Sequence, residues 1–93
     1  MKILERLRKR KEAEKELKRA FDTLMLELRF MRFQFDNLKQ VEKMYEDLDP
    51  NSEDYSWRRR GADRHIAQEK SDLDFEVELV VAALDKYYDM TRS

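Results

Sequence analysis

The feature that most constrains this chain is the apolar pattern from Leu17 to Leu48. Leu17, Phe21, Leu24, Leu28, Met31, Phe35 and Leu38 recur at alternating steps of four and three, the spacing that keeps side chains on one helix face. A second set, Leu26, Phe30, Phe33, Val41 and Met44, lies roughly opposite when each residue turns about 100°. A helix with two apolar faces needs two partners. Leu24 to Phe35 is the centre of this pattern, with Arg29, Arg32, Asp36 and Lys39 held to a narrower sector.

A strand reading has to be met, because Leu24, Leu26, Leu28 and Phe30 also alternate, as do Leu73, Phe75, Val77 and Leu79. Thr23 and Val41 are the only β-branched residues in 17–48, and no turn signal interrupts that stretch. One Gly and one Pro in 93 residues are too few turn-formers for a sandwich or barrel. The length suits a single small domain. A hydrophobic share of 41% is too high for a disordered chain, although 44% of the residues are charged.

The chain divides at Asp47-Leu-Asp-Pro-Asn-Ser-Glu-Asp. Pro50 cannot continue a helix and disfavours helical geometry at Asp49, yet Asp49 followed by Pro50 can open the next one. Helix one is expected over about 2–48, a turn over 49–52 and helix two over about 53–90. Gly61 is a candidate break within the second. Residues 2–16 read as a solvated extension, with Ile3, Leu4 and Leu7 as a thin apolar edge. Tyr55, Ala62, Ile66, Leu73, Val77, Val80, Leu84 and Tyr87 supply the apolar face of helix two. Asp85 and Asp89 oppose the dipole at its end, which should fray unless it is packed. Folding about Pro50 places Leu17 near Val80–Leu84.

The expected fold is therefore all-α: a helical hairpin of two long antiparallel helices, spanning 1–93 as one domain. One seam of each helix closes the hairpin. The second seam of helix one stays wet in a monomer, and Leu26, Phe30, Phe33, Val41 and Met44 are the expected interface of a homodimeric four-helix bundle.

Chemistry-bearing motifs are sparse. The net charge of −1 hides an asymmetry: residues 1–19 carry nine bases and four acids, while 46–54 carry five acids and no base. Arg8, Lys9, Arg10 and Lys11 form one basic cluster, and Arg58, Arg59, Arg60 and Arg64, beside Tyr55 and Trp57, form another. Such basic and aromatic mixtures suit nucleic acid, but acids adjoin the second cluster and the pI near 5.9 falls well short of the value above about 9 typical of that role. His65 is the single histidine, and Ala62 stands where a Glu-x-x-His metal motif needs its acid, so no metal or cofactor is expected. With no Cys and one Gly, neither a thiolate site nor a phosphate-cradling loop is available, and the chain is read as no enzyme.

In size and helical content the chain is similar to the helical chorismate mutases, but Arg58–Arg60 run into Gly61 where that family has an Arg–Glu pair, so no site residue carries over. Leu48-Asp49-Pro50-Asn51, with Trp57 and Gly61, resembles the linker and first helix of tetratricopeptide repeats. The same turn is similar to the N-terminal hairpin of hantavirus nucleoproteins. Both likenesses cover only a few residues.

The functional expectation is a non-enzymatic self-association or protein-interaction module, adaptor, chaperone-like or oligomerising, a pattern that would equally serve a designed bundle. The alternative is a nucleic-acid-binding helical dimer, and a small helical enzyme comes third. The absence of cysteine, of a secretory core in the first residues and of any long apolar run leads to an expectation of a cytoplasmic, reducing setting without a membrane span.

Overall fold

A computed structural model describes residues 2–92. It contains two α-helices, α1 (Lys2–Met44) and α2 (Tyr55–Arg92), packed against each other as an antiparallel hairpin. The molecule is a rod measuring 81 × 15 × 14 Å. Its radius of gyration is 22.0 Å, against about 12 Å for a compact domain of this length.

The helices form because neither interior contains Pro and because Leu, Lys, Glu, Arg and Ala make up most of α1 and nearly half of α2. Their ends differ from the expected ones. α1 stops at Met44, four residues early, where Tyr45 N–H and Glu46 N–H bond three residues back to Glu42 and Lys43 (3.2 and 3.3 Å). Acids at 46, 47 and 49 oppose the dipole there, and Pro50 removes a donor. α2 opens at Tyr55 rather than 53. Asp54, not Asp49, is its cap: the Asp54 carbonyl accepts the Arg58 N–H at 2.9 Å. Asp49 instead makes a turn of its own, with its Oδ1 accepting the Asn51 N–H at 3.0 Å.

Gly61 does not break α2, which runs continuously to Arg92. Near the far end the Phe21 and Tyr87 rings pack across the helices 5.7 Å apart, and within α2 the Arg92 guanidinium sits 5.2 Å from the Tyr88 ring centre.

The seam follows neither apolar set of α1 alone. Leu17, Ala20, Leu24, Glu27, Met31, Gln34, Leu38 and Val41 of α1, with Tyr45 just past its end, are buried or half-buried in a three-four alternation passing between the two sets, and Leu28 and Asn37 are half-buried beside it. On α2 the same alternation runs through Ala62, Ile66, Glu69, Leu73, Glu76, Val80, Ala83, Tyr87 and Met90. Glu69 and Glu76 thus take seam places, and Val77 and Leu84 are exposed instead.

The ten-residue connection shifts the register from the expected one. Phe21 lies opposite Tyr87 and Tyr45 opposite His65, so Leu17 is level with the last turn of α2 rather than with Val80–Leu84. Both ends are staggered as a result. The first four turns of α1 run about 20 Å beyond the end of α2, and the first ten residues of α2 run about 15 Å past the end of α1.

Candidate association surface

Few side chains are buried by this hairpin. Among the described residues, six hydrophobic side chains are buried and seventeen large ones are exposed. The accessible surface is 8390 Å², whereas a folded monomer of this mass is expected to expose about 5,800 Å². The excess, about 2,600 Å², is larger than one partner's share of a standard protein interface.

Leu26, Phe30, Phe33 and Met44 are exposed, at 48, 49, 61 and 67%. Val41 departs from the expectation: it is 8% exposed and lies in the hairpin's own seam. A seam that repeats every 3.5 residues drifts by about 20° per heptad on a helix of 3.6 residues per turn, so by Val41 it has moved onto this flank.

At about 100° per residue the exposed apolar residues of α1 fall on both flanks of the seam. Leu26, Phe30, Phe33 and Met44 form one flank, which continues across to α2 through a groove lined by Met44, Leu48, Trp57, Gly61 and Ala62. Phe21, Met25 and Phe35 form the other, where a groove lined by Met31, Phe35, Leu73 and Val77 reaches α2. Val77, Val81, Leu84 and Tyr88 extend that second face at helical spacing. The reading of the sequence missed it by assigning Phe21, Phe35, Val77 and Leu84 to the hairpin interior; the 77-81-84-88 spacing was the available signal.

The seam, apolar for the most part, also holds polar groups. Glu27 Oε2 and Glu76 Oε1 are buried without a hydrogen-bond partner. The two carboxyls face each other across the helices, and a proton held by Glu76 can be donated to Glu27. That hydrogen bond, then burial, then repulsion from Glu27, raises Glu76 to about pKa 7. Nearer the turn, the Tyr45 hydroxyl lies 2.9 Å from His65 Nδ1, and Glu69 Oε1 lies 3.8 Å from His65 Nε2. A proton on Nε2 beside Glu69 leaves Nδ1 to accept from Tyr45. This ties the first residue of the connection to α2.

The basic clusters lie at opposite ends of the rod. Arg8, Lys9, Arg10 and Lys11 are exposed on the overhang of α1, with Arg10 beside Glu14 at 3.8 Å. At the turn end Arg58 pairs with Asp54 at 2.7 Å and Arg59 with Asp63 at 3.3 Å, while Arg60 Nε donates to the Ser56 carbonyl at 3.3 Å. Arg64 lines the groove beside Trp57. The Ser52 hydroxyl donates to Asp54 Oδ1 and, with Arg58, holds that carboxyl below its usual range.

Among the described residues no group of three or more His, Cys, Asp or Glu is placed to hold a metal ion, and no helix is long and apolar enough to cross a membrane. Compared with protein-family models, curated proteins and solved structures, the chain matches none of them.

Proposed function

We propose that the protein is a non-enzymatic self-association module: a coiled-coil hairpin that pairs with a second copy to form an antiparallel four-helix bundle. The observation that carries this reading is the excess accessible surface, with Leu26, Phe30, Phe33 and Met44 in the open while glutamates occupy the seam. The apolar part of that surface favours association at roughly 25 cal/mol per Å² before the costs of ordering are subtracted. A second hairpin bearing the same face is self-complementary, as a two-fold interface requires.

Nucleic-acid binding is the competing reading. Arg58 and Arg59 are engaged by Asp54 and Asp63, and the two clusters do not form a continuous stripe on one chain. That arrangement favours protein association.

The test is the mass in solution. Sedimentation at micromolar concentration should give two chains, and replacing both Phe30 and Phe33 by Glu should shift the population to one. A single-chain mass for the unmodified protein removes the proposal. A four-chain mass would mean that the Phe21–Phe35 face is covered as well.

A further inference from the structure

The staggered ends carry opposite charge. The overhanging start of α1, residues 2–15, holds seven bases and three acids, a net of +4. The other end, residues 45–64, holds six acids and four bases, a net of −2, and its connection 46–54 has five acids with no base. Two of the four arginines are already tied to Asp54 and Asp63. Glu46, Asp47, Asp49 and Glu53 are exposed.

The overhang also has apolar side chains for which its own hairpin offers no cover. Ile3 and Leu4 are 73 and 67% exposed, and α2 ends before reaching them. At the opposite end the start of α2 has the connection rather than α1 beside it; Ala62 is covered there, but Trp57 is 72% exposed over the groove it shares with Met44 and Leu48.

Resting on the dimer reading above, we infer that the two copies run antiparallel, with the basic overhang of each α1 lying along the acidic turn and the start of α2 of the other copy. Charge and shape both select this orientation. Side by side in parallel, two +4 overhangs would face each other at one end and two −2 turn ends at the other, the −5 of each connection being offset by the +3 of residues 55–64. Turned end for end, each overhang meets an end of opposite net charge, carried by the acids of the connection, and the single-helix overhang gains a neighbour. The rod's length makes the match geometric: an overhang of about 20 Å covers the last quarter of an 81 Å partner, which is the part where α1 is missing.

The chain has no cysteine, so single spin labels report the orientation cleanly. Ala13→Cys lies at the overhang and Asn51→Cys on the connection; both positions are exposed and the Asn51 contact with Asp49 uses its backbone. In an antiparallel dimer, label separations should exceed about 40 Å when either variant is measured alone. Mixing the two labelled variants should create a new distance under about 30 Å. A short distance within either variant alone means parallel pairing and overturns the inference. So does a dimeric mass with no short distance in any sample. Light scattering on the same samples separates the two claims, since a single-chain mass removes the dimer itself.

Discussion

At the scale of single residues, the informative positions are the polar ones inside the seam. Glu27 and Glu76 leave carboxylate oxygens buried and unpaired, a cost that a shared proton relieves. The folded-state value for Glu76 is about 7, above its ordinary 4.5. The folded state therefore binds the extra proton: the stabilisation is fully present below about pH 4.5 and is lost as pH rises through about 7. Thermal unfolding should accordingly show a lower midpoint at pH 8 than at pH 6. Glu76→Gln, which donates without titrating, should raise stability at pH 8 by roughly 0.5–1.5 kcal/mol, the worth of one hydrogen bond, and should flatten the pH dependence over that interval. An unchanged pH profile in the variant would assign the titration to another group. None of this was legible in the sequence. Periodicity ranks apolar residues, and a glutamate at a seam position carries no mark that distinguishes it from one on the surface.

At the scale of elements, two long helices and one reversal were readable, because the four-three spacing and the single proline each have one physical meaning. The limits of the helices were not. Where α1 ends depends on how the acids of 46–49 balance against its last hydrogen bonds, and that balance also sets the register of the whole hairpin. The seam was misplaced for a related reason: straight-helix arithmetic separates two apolar faces, whereas a 3.5-residue repeat threads between them. Gly61 shows that one poor helix former does not end a long helix. It sits inside an unbroken α2, and a Cβ built there meets nothing within 4 Å. Gly61→Ala should therefore stabilise the protein by about 0.5–1 kcal/mol in chemical denaturation. A loss of stability would show that a bound copy needs that space.

At the scale of the whole molecule, the candidate interface was half legible. Leu26, Phe30, Phe33 and Met44 were identified as wet from spacing alone, Val41 was not separable from them, and the second face was absorbed into the hairpin. Because the apolar surface lies outside the chain's own seam, folding and association should be one linked process. The unfolding midpoint is then expected to rise with protein concentration, measurably over a hundredfold range, as it does for obligate dimers. A midpoint independent of concentration would assign the stability to the isolated hairpin.

The offset between the helix ends has a consequence for how growth stops. A rod with a basic tip and an acidic tip can also add copies head to tail, and a contact of that kind has no natural limit; it produces filaments. Lateral pairing end for end consumes both tips of both molecules in one step. In the pairing proposed above, the same stagger that exposes each tip would also supply the means of closing it, and would select a finite particle over a fibre.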